Sequence, residues 1–353
     1  MNEPISYVVL QQRGNKLLEF EKTDYLSYVK SEMQLEIITG NKMTYQGEIS
    51  KHGKARMSKA LLVWSQAINF WNEREIKNKS FQQKQINFIT LTLCAPQRHS
   101  DRIIKSKILA PFMRILKRDY AVENYIWKAE SQENLNIHFH LLVDVYIDKV
   151  ELRNIWNSCL DSLGYLDRFE EKFHHRDPHS TMIEAVSDFG SIERYMAKYI
   201  GKSDNYRLIE GAVWKCSKKL SKLQFFECER STFEERKLQS AVVEKKIEFK
   251  SLDFCNVYNV KACDIFLYLS GCASSLYRIY RDSLLDYVFD PSVTGCFSDL
   301  YFEKRNLHKP ARCAVKFEID IRESLHSIKQ KKKITENVSQ LSFGFCVESE
   351  LSS

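Results

Sequence analysis

Between residues 85 and 201, the spacing of apolar residues switches between strand and helix periodicity in an order that restricts the fold. The first segment is rich in β-branched and aromatic side chains, as a buried strand is. Pro111 predicts a kink or a break in the first helix. The order of strand, helix, two strands, helix, strand and helix predicts an α+β fold, a small antiparallel sheet with helices on one face. The predicted strands are 86–93, 124–129, 137–147 and 182–186, and the predicted helices are 101–118, 148–163 and 191–201.

The flanking regions show a different pattern. A helical stripe lies between residues 61 and 71, and an aromatic-rich helical pattern covers 264–289. We therefore predict three parts. Residues 1–84 form a mainly helical N-terminal extension, residues 85–227 form the central domain, and residues 228–353 form a mainly helical region whose role the sequence does not reveal.

Charge and motifs exclude some classes of protein. Lys and Arg number 53 against 46 Asp and Glu, a net charge of +7 that permits a polyanionic partner without establishing one. No run of eighteen apolar residues and no secretory signal pattern occurs, so we expect no membrane association and a cytoplasmic location. The sequence around Gly201 and Lys202 has Met196 where a P-loop needs glycine, so no ATPase motor is expected.

The sharpest local motif is the pair His138 and His140 in an apolar strand. Side chains two apart on a strand share a face, so the two imidazoles could chelate one divalent cation. Glu130, at the end of the preceding strand, is the candidate third ligand, with Glu133 and Gln132 as competitors. Two imidazoles and a carboxylate suit Mg²⁺ or Mn²⁺. The alternative is a hydrogen-bonded histidine pair without metal.

A second motif places Tyr195 and Tyr199 one helical turn apart, each followed three residues later by a lysine, Lys198 and Lys202. A tyrosine becomes a useful nucleophile only when positive charge favours its phenolate, and lysines with a bound cation provide that charge. The alternative is the amphipathic surface of an ordinary helix.

A basic, aromatic segment follows. Lys215 and Lys218 could contact a phosphate backbone, as could Lys202, while Trp214 could stack on a base. A solvated amphipathic helix explains the same pattern equally well.

In this order and spacing, the segments resemble the three motifs of the HUH endonuclease superfamily, and in particular the rolling-circle replication initiators (Rep proteins) of small single-stranded DNA phages and plasmids. The resemblance spans about residues 85–227. It departs from the family pattern in two places, because residues 134–136 lack the glycine that often precedes the histidines, and Lys215 stands where glycine is common. The matching segments are 88–92, Glu130 with 138–140, and 195–199.

This resemblance implies a five-stranded antiparallel sheet of ferredoxin or RRM type, and a metal-dependent enzyme that nicks and rejoins single-stranded DNA at an origin. Carried over by residue, it implies a divalent metal held by Glu130, His138 and His140. It also implies that Tyr195 and Tyr199 are nucleophiles and that Lys198 assists at the scissile phosphate. A DNA polymerase and a helicase of a bacterial host would be partners, while the oligomeric state stays unknown.

Three classes of function remain open on the sequence. The first is the replication initiator, whose catalytic core would also serve a relaxase or a transposase of the same superfamily. The second is a nucleic-acid binder without catalytic activity on an RRM-like sheet, for which exposed aromatic residues would be expected where His138 and His140 stand. The third is a metallohydrolase that uses water, in which the tyrosines play no part.

Overall fold

The computed structural model describes residues 5–24, 47–79, 83–186 and 206–307. The chain divides into two units, 1–301 and 302–353, and both sheets belong to the first. In the second unit, only the end of the last helix is described. The strands are β1 (Ile5–Arg13), β2 (Lys16–Asp24), β3 (Ile86–Leu91), β4 (Tyr125–Ser131), β5 (Ile137–Val143), β6 (Thr181–Val186), β7 (Trp214–Cys216), β8 (Glu227–Glu229), β9 (Glu248–Leu252) and β10 (Cys255–Asn259). The helices are α1 (Lys51–Lys77), α2 (Asp101–Ile104), α3 (Ala110–Asp119), α4 (Lys149–Asp161), α5 (Tyr165–Phe173), α6 (Lys218–Ser221), α7 (Thr232–Val243), α8 (Gly271–Phe289) and α9 (Phe297–Leu307).

The central sheet confirms the predicted α+β class. Its strands run antiparallel in the order β6-β3-β5-β4-β7. The four predicted strands are all present, although β5 ends at Val143 rather than at residue 147 because Asp148 already caps α4. The fifth strand, β7, is the short segment that begins at Trp214.

One face of this sheet packs on helices. Trp156 of α4 meets Phe139 of β5 and Phe112 of α3 at ring-centroid distances of 6.3 and 5.2 Å. Its indole nitrogen donates to the carbonyl of Thr92 at 2.8 Å, which satisfies the polar atom of a fully buried ring. We call this side the helix face of the sheet. The opposite side, which carries His138 and His140, is called the site face.

The first predicted helix neither kinks sharply nor breaks at Pro111. Instead, α2 continues through a π-helical turn (Lys105–Leu109) into α3, and Pro111 lies in the first turn of α3. Proline has no backbone N–H to donate, and the wider π turn before it changes the hydrogen-bond register at the position where that donor is missing.

The flanking regions contain strands that the prediction of mainly helical extensions did not include. β1 and β2 form a hairpin around Gly14, whose φ of 62° suits a tight turn. They join the later strands in a second antiparallel sheet of order β8-β1-β2-β10-β9. Inside it, Glu19 accepts a hydrogen bond from the hydroxyl of Tyr258 at 2.7 Å. These partners lie more than two hundred residues apart, so no local pattern announces the pairing.

The helical patterns of the flanks are confirmed by α1 and α8. The two helices pack through Phe70 against Tyr277 and through Trp71 against Phe289, at ring-centroid distances of 6.0 and 4.8 Å. α1 begins at the N-cap Ser50, whose hydroxyl accepts from the backbone N–H of Gly53. Within the described ranges, no helix is long and apolar enough to cross a membrane. The boundaries predicted at residues 84 and 227 stay predictions.

Candidate active site

The site is built on the hairpin of β4 and β5. Its turn is closed by the backbone N–H of Gln132, which donates to Asn136 O at 2.9 Å, and by that of Leu135, which donates to Gln132 O at 2.8 Å. Leu135 adopts a left-handed φ of 66°, a conformation that glycine adopts more readily. The turn therefore forms without the glycine that is often found in proteins of the resembled family.

The register of the hairpin brings the three predicted ligands to one face. Glu130 pairs directly with His138, and Lys128 pairs with His140, so all four side chains project from the site face. On the other side of β5, Thr90 lies opposite His140. Both histidines are buried, with exposed fractions of 8% for His138 and 6% for His140.

The contacts within this group are specific. His140 Nε2 lies 3.3 Å from Glu130 Oε2, and the Lys128 ammonium contacts the other carboxylate oxygen. The two imidazole rings meet edge to face at a centroid distance of 4.5 Å. Phe88 stacks on His140 at 5.3 Å and fixes the plane of that ring. The carboxylate of Glu130 is therefore held between an imidazole and an ammonium.

The electrostatics set the charge states at neutral pH. Burial lowers the pKa of His138, repulsion from His140 lowers it further, and Glu130 offsets this only in part, which gives a pKa of about 4. Burial would raise the pKa of Glu130, but hydrogen bonds from His140 and Lys128 outweigh it and hold this pKa at about 2. At pH 7, His138 is thus neutral and Glu130 is ionised, the states in which each can bind a cation.

The donor set fits a divalent cation chemically. His138 Nδ1 is buried and has no hydrogen-bond partner in the described part of the chain. However, within the same part, no group of three or more His, Cys, Asp and Glu side chains is arranged so that it could hold a metal ion. The reason is visible at Glu130, whose oxygens are engaged by Lys128 and His140. A cation would have to compete with Lys128 for this carboxylate, and the metal assignment stays a prediction.

The competing acid lies elsewhere. Glu133 is exposed in the turn and accepts a hydrogen bond from the hydroxyl of Tyr206 at 3.1 Å. It does not belong to the contacts around the histidine pair. Among the acidic side chains of this hairpin, Glu130 is the one that contacts the pair.

The predicted nucleophiles cannot be placed. Tyr195, Lys198, Tyr199 and Lys202 lie outside the described residues. Their roles rest on the sequence motif alone.

The structure separates the other predicted DNA-binding residues. Trp214 lies opposite Lys128 on β7, so it belongs to the site face. Lys215 lies opposite Trp127 and therefore points to the helix face, at the edge of the sheet. Lys218 is exposed at the start of the short helix α6. Of these three, Trp214 is the one that shares a face with His138 and His140.

Two features of the site were missed in the sequence. Lys128 is one, although its position two residues before Glu130 on a strand could have revealed it. The other is a buried polar network around Asp101, which is 2% exposed. Its carboxylate accepts from both terminal nitrogens of Arg207, at 2.6 and 2.7 Å, and from Gln97 at 2.8 Å. Burial would raise the pKa of Asp101, but these hydrogen bonds lower it overall.

This network holds the entrance to β5. The side-chain oxygen of Gln97 accepts from the backbone N–H of Ile137 at 2.7 Å, directly before His138. Arg207 Nε donates to Leu135 O in the turn at 2.7 Å. No local pattern could have found this network, because Asp101 and Arg207 are 106 residues apart.

Comparison with known families gives one match. Residues 86–204, which are less than half of the chain, match a family model described as replication-associated protein of the ORF2 type. The match includes the histidine hairpin and the predicted tyrosine motif. No curated protein and no solved structure matches the chain. The family match supports a replication initiator of the Rep type, and such a role implies binding to a DNA origin.

Proposed function

We propose that the protein initiates rolling-circle replication by nicking and rejoining single-stranded DNA at an origin. The observation that carries the proposal is the grouping of Glu130, His138 and His140 on one sheet face, within the segment that matches a replication-associated family. The resemblance to HUH endonucleases supplies the chemistry. A relaxase or a transposase would use the same core.

In this proposal, a phenol oxygen of Tyr195 or Tyr199 loses its proton and attacks phosphorus in line. A bond forms between that oxygen and phosphorus, and the bond from phosphorus to the 3′ oxygen breaks. The leaving oxygen takes up a proton, which yields a 5′-phosphotyrosine and a free 3′-OH. The energy of the broken ester is retained in the new one, so a later attack by a 3′-OH can rejoin the ends without ATP.

The residues around the hairpin would each contribute to this step. His138, His140 and Glu130 would hold Mg²⁺ or Mn²⁺, which when bound polarises a nonbridging phosphate oxygen. Lys198 would stabilise the phenolate or the phosphate charge. The free 3′-OH would then be extended by a host polymerase, with a host helicase to open the duplex.

The test is an adduct assay. The full chain is incubated with Mn²⁺ and a labelled single-stranded oligonucleotide that carries the origin, and the products are separated under denaturing conditions. We expect a protein–DNA adduct that survives denaturation. The combined variant Tyr195→Phe and Tyr199→Phe should form none, because phenylalanine has no nucleophilic oxygen, and His138→Ala should form none because a ligand is lost.

The outcomes separate the classes of function. DNA binding without cleavage would favour a nucleic-acid binder, and cleavage without adduct would favour a hydrolase that uses water. An adduct formed by the double Phe variant would show that the tyrosine assignment is wrong. Tyr206→Phe is the matched control, because its hydroxyl bonds to Glu133 in the turn and should not be needed for the adduct.

A further inference from the structure

We propose that α1, which lies outside the segment that matches the family, forms a single-stranded DNA track with Trp214 at the β7 edge of the site face. The inference rests on the proposed function only in taking single-stranded DNA as the substrate. It assigns a role to a helix that the sequence predicts only as an extension. The residues that carry it are Trp214, Arg56 and Gly53.

The first step is the alignment across the sheet. Thr90, His140, Lys128 and Trp214 are register partners on four consecutive strands, so they form one row across the site face. Strands lie about 4.8 Å apart, which places the backbone of Trp214 roughly 10 Å from that of His140. A strand of DNA whose phosphate lies over the histidines would reach Trp214 after crossing Lys128.

The second step is the contact between Trp214 and α1. The guanidinium of Arg56 lies 5.9 Å from the centre of the half-buried indole, within cation–π range. A Cβ atom on Gly53 would come within 3.2 Å of the indole nitrogen and 3.0 Å of Ile49, so glycine permits this close approach. Farther along α1, Lys59 Nζ donates to Gln224 Oε1 at 3.1 Å and fixes the helix beside this segment.

The third step is the charge. Arg56 is exposed, and no carboxylate of the described residues pairs with it. Its charge also acts on its neighbours, since burial lowers the pKa of Lys59 and the Arg56 guanidinium lowers it further. Lys51 and His52 are exposed about one turn before Arg56. Cations that repel one another at a surface are stabilised by a polyanion.

The shape of the two side chains selects the form of the nucleic acid. An indole ring and a guanidinium plane are both surfaces on which unstacked bases pack, and bases are available for this in a single strand. A duplex would offer its phosphates to Arg56 but no free base to Trp214. The surface therefore fits single-stranded DNA better than duplex DNA.

The test measures binding of a labelled oligothymidylate to the full chain, with chelator present, over a series of salt concentrations. Arg56→Ala should flatten the plot of log affinity against log salt by about 0.7, the change expected for one lost phosphate contact on a single strand. Trp214→Ala should weaken binding roughly tenfold with an unchanged slope, because stacking is not ionic, and Trp214→Phe should retain most of the affinity.

Arg114→Ala is the matched control, because Arg114 is an exposed arginine of α3 on the helix face. Its slope should equal that of the wild type. The proposal is overturned if Arg56→Ala leaves the slope unchanged, if Arg114→Ala flattens it equally, or if the variants lose affinity only for duplex DNA. Thermal unfolding at the wild-type temperature shows that each variant is folded. Because no metal is present, this result does not depend on whether the chain forms an adduct.

Discussion

Lys128 is a buried ammonium at the centre of the site face. Its side chain is 5% exposed and contacts Glu130, which also receives His140. A buried cation beside the predicted metal ligands opposes the entry of a second cation. The same ammonium neutralises Glu130 when no cation is present, because an unpaired buried carboxylate would be costly.

We predict that Lys128→Met increases the affinity for Mn²⁺ about tenfold or more, because it removes a like charge and frees an oxygen of Glu130. Isothermal titration calorimetry measures this directly. Lys215→Met is the control, since it removes the same charge from the edge of the helix face and should leave the affinity unchanged. A lower affinity in Lys128→Met would contradict the competition described here.

At this scale the sequence was informative where partners are close in the chain. His138 and His140 could be paired because a strand has a period of two, and the turn is short enough to return Glu130 beside them. The interaction of Asp101 with Arg207 gave no such signal, because it depends on how loops from distant segments meet. Strand periodicity says which residues share a face but not which charges will compete there.

At the scale of elements, the hairpin is fixed from outside by the network of Asp101, Gln97 and Arg207. Two of its hydrogen bonds reach the backbone of the hairpin, at Leu135 and at Ile137. The orientation of His138 therefore depends on side chains that are not part of the hairpin. Such support restricts where the imidazoles can point.

We predict that Arg207→Ala lowers the free energy of unfolding by about 3 kcal/mol, because it leaves the buried Asp101 carboxylate without its charged partner. Denaturant titration of wild type and variant measures the change. Arg176→Ala is the control. It removes contacts to Asp161, Asp167 and Glu170 on the surface, where solvent screens them, and the midpoint should move little. Equal losses in both variants would contradict the prediction.

The order of elements in the central sheet could be predicted because each strand and helix carries its own periodicity. The π-helical turn before Pro111 could not, because apolar spacing does not distinguish a register shift from a kink. The strand β9 was missed for another reason. All of its residues are exposed, so it has no buried face to produce an alternating pattern.

At the scale of the whole molecule, the chain closes on itself through contacts of long range. β1 and β2 pair with strands that follow residue 226, so the second sheet encloses the central one in sequence. Asp144 makes a related connection. It accepts from the backbone and side-chain nitrogens of Asn124, at 2.9 and 3.0 Å, and Asn124 also donates to Val288 of α8.

Asp144 gives the fold a pH dependence. Burial raises its pKa to about 6, so the folded state prefers the protonated form. Its contribution to stability is complete below the unfolded pKa near 4 and is lost as the pH rises through 6. We predict that Asp144→Asn gains stability relative to the wild type by about 2 kcal/mol between pH 4 and pH 7. Denaturant titrations across this range measure the difference, and a difference that does not change with pH would contradict it.

The central claim is that the sheet face of His138, His140 and Glu130 works with a tyrosine from the 195–199 motif on one phosphate. The most direct measurement is mass spectrometry of the proteolysed adduct formed with Mn²⁺ and a single-stranded origin oligonucleotide. The account predicts a nucleotide attached to Tyr195 or Tyr199 in the wild type and no modified peptide in His138→Ala. Attachment to any other residue, or equal modification of the His138→Ala variant, would contradict it.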